Sequence, residues 1–326
     1  MIATRRALLA TTLAAPAVGT AKAQSASWPT GQVRIIVPFP AGRVTDLVAR
    51  IVADGLRETH NTTAVVENKP GANATIGMEL LKRSAPDGAT LLVGGLGSHG
   101  IPPVVIPNYP FDVDKDFTPL AIMAEFVNVM VVPADSPART VQEFIALARA
   151  RPGALNYGYT SVGASNQLTA ELFKQRADVD IMGIPLGQQG NSLVMLQRGD
   201  VQVAFENLPS VAGAIRGGTL RALAVTSGTR TAQLPDVPTL QEAGIPDFVV
   251  TSWIGLYGPP AMPPPLVAGI VAELQRIGAA AEARRRLTAA GFEPAFVGGA
   301  DFAAFQHREN QRWADVVKRA GLRIES

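Results

Sequence analysis

Apolar residues follow two alternating rhythms along this chain. Val33-Arg34-Ile35-Ile36-Val37 is a short apolar run closed by Pro38, and residues 45–56 then place Leu47, Val48, Ile51, Val52 and Leu56 at helical spacing. A strand, a loop and a helix are predicted in that order. The order repeats: Ala64-Val65-Val66-Glu67 reads as a strand, residues 76–84 as a helix, and Thr90-Leu91-Leu92-Val93 as a strand ahead of a glycine cluster. Alternation of this kind predicts an α/β fold, with a mostly parallel sheet flanked by helices.

Residues 120–132 and 248–257 are long, nearly uncharged runs, each followed by proline, and both read as strands. Between them lies a second α/β set: helices at 140–150 and 166–175, and strands near 155–159, 201–205 and 220–226. Helices near 265–277, 282–290 and 301–320 follow the second run. The expected architecture has two lobes joined by two crossing strands, with lobe 1 formed by residues 24–128 plus 252–326 and lobe 2 (129–251) inserted into it. Ligands favour domain interfaces and the carboxyl ends of parallel strands, so the cleft between the lobes is the expected site.

The first residues change the picture from an intracellular protein to an exported one. Arg5 and Arg6 precede an apolar stretch at 7–18, and Ala21-Lys22-Ala23 offers a cleavage site, so residues 1–23 read as a signal peptide cut near Ala23. The paired arginines are compatible with twin-arginine or general export. The apolar stretch is shorter than the roughly 20 residues a membrane span needs. A soluble mature protein in the periplasm is expected.

Removing Arg5, Arg6 and Lys22 leaves 26 basic residues of 29 against 27 acidic, so the net charge moves from +2 to −1. No global basic field remains to attract nucleic acid, and that class is set aside. The chain has no cysteine, which excludes disulfides and thiol chemistry. With 47% hydrophobic residues, a mature chain of about 300 residues is long enough to divide into two domains.

Three loops could carry chemistry. Residues 38–46, Pro-Phe-Pro-Ala-Gly-Arg-Val-Thr-Asp, leave a strand and open a helix. Unpaired N–H groups at a helix start can hold a carboxylate, with Gly42 allowing close approach; Thr45 or Asp46 would equally serve as a cap and nothing more. Gly95-Leu96-Gly97-Ser98-His99-Gly100 matches G-x-G-x-x-G, but Pro102 and Pro103 stand where a crossover helix should open and no acidic residue ends a second strand at the dinucleotide distance. Ser98 and His99 are left as cleft-lining residues or parts of an ordinary glycine turn. The third loop, residues 158–167, gathers Ser161, Gly163, Ser165 and Asn166 at a second strand-to-helix junction. Two helix starts facing one cleft suit a negatively charged ligand. Of the three histidines, His307 reads as solvated surface, and no catalytic or phosphate-loop motif is present. Nothing points to a metal or a cofactor.

A series of ordered matches then resembles one family, the tripartite tricarboxylate transporter substrate-binding proteins, or Bug family. They are Val37-Pro38-Phe39-Pro40-Ala41-Gly42 with Asp46, Glu67-Asn68-Lys69-Pro70-Gly71-Ala72 with Ile76-Gly77, residues 85–92, Ser98-His99, Asp116-Phe117-Thr118-Pro119, residues 171–174, residues 220–226, and Leu234-Pro235-Asp236-Val237-Pro238-Thr239 with residues 242–244. The resemblance implies a two-lobed, monomeric periplasmic binding protein that captures a small mono- or dicarboxylate, aromatic acids included, and delivers it to the membrane subunits of a transporter. Backbone groups and bridging waters would hold the carboxylate. It implies ligand contacts from Phe39, Ala41, Gly42 and Asp46 in the first loop, from Ser161, Gly163, Ser165 and Asn166 in the second, and from Ser98, Glu206 and Asn207.

Departures fall inside the site. Arg43 stands where the family carries a second glycine, and a direct ligand contact is expected of it. Gln167, Leu186-Gly187-Gln188, Gln202 and Asn73 also depart from the usual pattern. Two other readings stay open: a sensory protein presenting its ligand to a receptor, and a hydrolase or isomerase using Asp46 or His99 as acid-base group.

Overall fold

The computed structural model describes residues 28–160, 164–186 and 192–320; the signal peptide expected at 1–23, Ser161 and Gly163 lie outside these. β1 (Val33–Val37) is buried at four of five positions because it is the middle of a parallel triple, with β2 (Ala64–Asn68) and β3 (Thr90–Gly95) on its two sides. Burial on both faces explains its unbroken apolar run. α1 (Val44–His60) joins β1 to β2 and buries Val48, Ile51, Val52 and Leu56, and α2 (Thr75–Lys82) leads back to β3. Beyond β3 the chain makes one π-helical turn, Leu96–Gly100, and a four-residue helix, α3 (Pro102–Val105). Prolines at the first positions of a helix forfeit only N–H groups that have no helical partner. Pro102 and Pro103 therefore open a helix where the sequence suggested none, though one too short to serve as a crossover.

β4 (Thr118–Pro133) follows, then α4 (Val141–Ala150), β5 (Asn156–Tyr159), α5 (Ser165–Ala177), β6 (Met182–Pro185), α6 (Ser192–Arg198), β7 (Ala204–Asn207), α7 (Leu208–Arg216) and β8 (Leu220–Val225). The chain ends with β9 (Thr251–Gly258), α8 (Pro264–Ala279), α9 (Ala281–Ala289), β10 (Glu293–Gly298) and α10 (Gly299–Ala320). The strand order is β10-β4-β9-β3-β1-β2, with β9 antiparallel to both β3 and β4. The last third of β4 leaves this sheet and pairs instead with β7 and β8, from Asn128 onward. One 16-residue strand thus runs from one lobe into the other. The return crossing lies beside it, where Val127 pairs with Thr251. The Thr226 hydroxyl ties the two crossings together, accepting from Asn128 N at 3.0 Å and donating to Val250 O at 2.6 Å. Register shifts in β4 flank this junction, at 122/124 against β9 and 130/131 against β8.

Lobe 1 packs α1 and α8 on its sheet around Ile35, Val37, Leu91, Leu256 and Leu274. Lobe 2 centres on Phe173, whose ring lies 6.2 Å from that of Phe144 and 5.2 Å from that of Phe205. The expected strand at 201–205 forms at Ala204–Asn207, and the 248–257 run begins regular pairing only at Thr251. β6, α6, α7 and β10 were not anticipated. β10 contains Pro294 and is half-buried along most of its length, so it shows neither the alternation nor the apolar run that marks a strand.

Candidate functional site

A cavity of about 150 Å³ lies where the ends of β1, β3, β5 and β7 meet the crossing strands. From lobe 1, Phe39, Arg43 and Thr45 line it, together with Gly95, Leu96 and Gly97 beyond β3 and with Phe126, Ser252 and Trp253 on β4 and β9. From lobe 2 come Thr160, Ala164, Ser165, Asn166, Glu206, Asn207 and Ser210. The volume is well below the roughly 300–1,000 Å³ of pockets for drug-sized ligands and suits a small solute.

On the lobe 1 side, Arg43 is the N-cap residue of α1 but makes no side-chain capping bond. Asp46, at the third helical position, does the work of a cap. Its Oδ2 accepts from Gly42 N and from Arg50 Nε, each at 2.9 Å, and its Oδ1 accepts from Asn68 Nδ2 at 3.1 Å. Burial works to raise the Asp46 carboxyl, but the bonds from Arg50, Gly42 N–H and Asn68, together with the Arg50 charge, outweigh it and hold the pKa below the ordinary aspartate value. Asp46 therefore shapes the loop from behind, and neither it nor Ala41 nor Gly42 belongs to the cavity wall. Gly42 has φ +77°, a left-handed backbone conformation that glycine adopts without strain, and a Cβ there would meet no protein atom within 4 Å.

Thr45, one of two caps the sequence offered, lines the cavity and has a buried hydroxyl with no hydrogen-bond partner among the described residues. Ser252 Oγ is in the same condition, 2% exposed and unpartnered. Its signal was a lone hydroxyl inside an apolar strand, which pattern-reading averages away.

Ser98 is expected at the cleft but lies behind it, fully buried, with its Oγ 3.0 Å from Gly95 N and 2.9 Å from His99 Nδ1. His99 stacks on Tyr257 at 3.8 Å between ring centroids. Burial pushes its pKa down to about 3, so the ring is neutral. This pair braces the π-helical turn whose Gly95, Leu96 and Gly97 form the cavity wall.

On the lobe 2 side the polar groups are bonded to one another. α5 is capped at Ala164 without a side-chain bond, so Ser165 is not a capping serine; its Oγ donates to Asn207 Oδ1 at 3.3 Å. Asn166 Nδ2 donates to Glu206 Oε1 at 3.3 Å, and Ser192 Oγ donates to the same oxygen. Ser192 was not anticipated. Burial raises the Glu206 pKa, opposed by the bonds from Ser192 and Asn166, by the Arg43 charge reaching it from lobe 1, and by the Asn207 N–H. Arg43 and Glu206 are thus electrostatic neighbours from opposite lobes.

Residues 48–322 match the profile of the tripartite tricarboxylate transporter family receptor, TctC. The chain belongs to this family. Among solved structures it resembles Rpa4515 of Rhodopseudomonas palustris, determined with adipate, at 32% identity and a TM-score of 0.83, covering 90% of this chain and 98% of that one. MatC from the same organism, with bound malate, gives 31% and 0.80 over 89% of this receptor and all of the other. The periplasmic binding protein BugD gives 28% and 0.83 over 91% and 100%. The two-lobed fold is therefore that of periplasmic binding proteins, and the family consists of substrate-binding receptors and not enzymes. The acid-base roles weighed for Asp46 and His99 fall away, in keeping with the bonds that tie up Asp46 and the burial that keeps His99 neutral.

Proposed function

We propose that this receptor is exported to the periplasm with residues 1–23 removed, captures a small organic carboxylate as a monomer, and delivers it to the membrane subunits of a tripartite tricarboxylate transporter. In this reading the lobes divide at 128/129 and 251/252, within the crossing strands and next to their Val127–Thr251 pair. The observation that carries the reading is a cavity lined by Arg43, Thr45 and Ser252, the last two with buried hydroxyls that have no hydrogen-bond partner among the described residues. Buried donors without acceptors are rare and costly, and a bound carboxylate satisfies several of them at once. The volume, and the adipate and malate found in two relatives, agree with a small acid. Phe39, Arg43, Ser165, Asn166, Glu206 and Asn207 are assigned to the ligand, Asp46 and Ser98 to the support of the loops that carry them.

The test is a thermal-shift screen of the mature chain, unfolded and refolded to remove retained ligand, against a panel of carboxylates. A ligand at 100 times its Kd should stabilise the native state by about 2.7 kcal/mol. A saturable shift with an acid and none with its amide is expected. A shift only with neutral or cationic solutes overturns the reading.

A further inference from the structure

The turn between β2 and α2 adds a further stretch of cavity wall, formed by Asn73 and Ala74. It is pinned at both ends to the loop that follows β1. On entry, Lys69 N donates to Val37 O at 2.8 Å and Asn68 Nδ2 donates to Phe39 O at 3.1 Å. On exit, Gly77 packs so closely that a Cβ there would lie 2.8 Å from Pro38 Cβ. Between these anchors four successive residues have positive φ: Gly71 at +131°, Ala72 at +45°, Asn73 at +53° and Ala74 at +75°. Three of the four carry a Cβ. Such residues avoid this region of backbone space, and where several are held in it together the strain is typically found at a ligand-binding or switching segment.

Asparagine tolerates a left-handed angle better than most residues, but the angle does not select it here, because Ala72 and Ala74 hold the same region with a plain methyl group. What Asn73 adds is an amide, half-buried at the cavity wall and without a hydrogen-bond partner among the described residues. It also stands at a position where this chain departs from the family's usual pattern. An uncharged amide recognises by hydrogen bonding, and its Nδ2 can donate to a hydroxyl or a carboxyl oxygen alike. We infer that Asn73 is a specificity-determining residue, whose amide donates to an oxygen-bearing group of the ligand beyond the captured carboxylate. This rests on the carboxylate-receptor reading and deepens it.

Calorimetric titration of the mature chain with two length-matched sets tests the inference: butyrate, γ-hydroxybutyrate and succinate, then caproate, ε-hydroxycaproate and adipate. In at least one set an oxygen-bearing acid is expected to bind at least about tenfold tighter than the plain acid, a gap of about 1.4 kcal/mol; the hydroxyl and carboxyl arms show which oxygen is preferred. Asn73→Ala removes the amide and keeps a methyl group of the kind its two neighbours carry at positive φ, and it should close the gap to about threefold or less. Asn73→Gly should close it equally. Plain acids that bind the parent chain as well as their oxygen-bearing partners, or a gap that survives in Asn73→Ala, overturn the inference while leaving the carboxylate reading intact. A gap that closes only in Asn73→Gly also overturns it, and assigns the effect to the backbone of the turn. No binding by any acid of either set defeats the carboxylate reading, and the inference with it.

Discussion

On the lobe 1 wall of the cavity the hydroxyls of Thr45 and Ser252 are buried with nothing to bond. On the opposite wall Ser165 is bonded to Asn207, and Asn166 and Ser192 are bonded to Glu206. Both walls are polar and both are buried, yet one is unsatisfied and the other satisfied from within. An unpaired buried hydroxyl is a liability of about 1–3 kcal/mol, so lobe 1 carries a burden that, under the proposed function, a ligand would relieve. Lobe 2 offers groups whose orientation is already set, and a ligand gains from them without having to order them. Arg43 spans the difference, placed on lobe 1 and felt by Glu206 on lobe 2.

The comparison breaks most visibly if the lobe 1 hydroxyls are removed. Thr45→Val with Ser252→Ala should weaken carboxylate binding by about 100-fold, two hydrogen bonds at about 1.4 kcal/mol each. The unliganded protein should stay as stable as the parent or gain, since the deleted groups were unpaired. Calorimetric titration and denaturant unfolding read the two effects separately; a double variant that loses stability but keeps its affinity would assign these hydroxyls to the fold. The opposite pattern is expected on lobe 2. Ser192→Ala takes a hydrogen bond from a buried carboxylate and should lower unfolding stability by about 2 kcal/mol even without ligand, and a change within experimental error would mean that the lobe 2 network is not self-supporting.

Acid titration gives a smaller and directional contrast. The Asp46 pKa is lowered from 3.8, so its contribution to stability is present above that value and is lost as pH falls through the folded-state pKa. The Glu206 pKa is raised from 4.5, so its contribution has the opposite sign, present below that value and lost as pH rises through the folded-state pKa. Unfolding curves between pH 3 and 7 should therefore show Asp46→Asn flattening the acid loss of stability, and Glu206→Gln gaining on the parent as pH rises. The same direction in both variants would remove the electrostatic distinction between the walls.

Much of the scaffold was legible because the helices and buried strands obey strong periodicities. The apolar run read at residues 120–132 is β4, which extends it by two residues at its start and one at its end, and the Thr140-initiated helix is capped by that threonine, whose hydroxyl accepts from Glu143 N at 3.1 Å. The loops named from helix-start physics do reach the cavity through Phe39, Arg43, Ser165 and Asn166. The division of labour inside those loops was not legible. Asp46 and Thr45 sit side by side as helix-start residues, and the fold ties down the acid, through Gly42 N, Arg50 and the distant Asn68, while the hydroxyl is left over. Ser252 and Ser192 were invisible for a related reason: a single polar residue in an apolar or unremarkable segment acquires its meaning from what crosses it in space.

The shared strand β4 has a mechanical consequence. The lobes are not strung on a loose tether, because the passage between them is a continuous strand with its neighbour at Thr251 and the Thr226 hydroxyl stitching both crossings. A change of angle between the lobes has to be taken up as curvature in this ribbon, concentrated at the register shifts beside the junction, where bulged strands bend most readily. Two paired strands confine the relative movement of the lobes more than a loose tether would, so the alignment of the two cavity walls belongs to the ribbon as much as to the lobes.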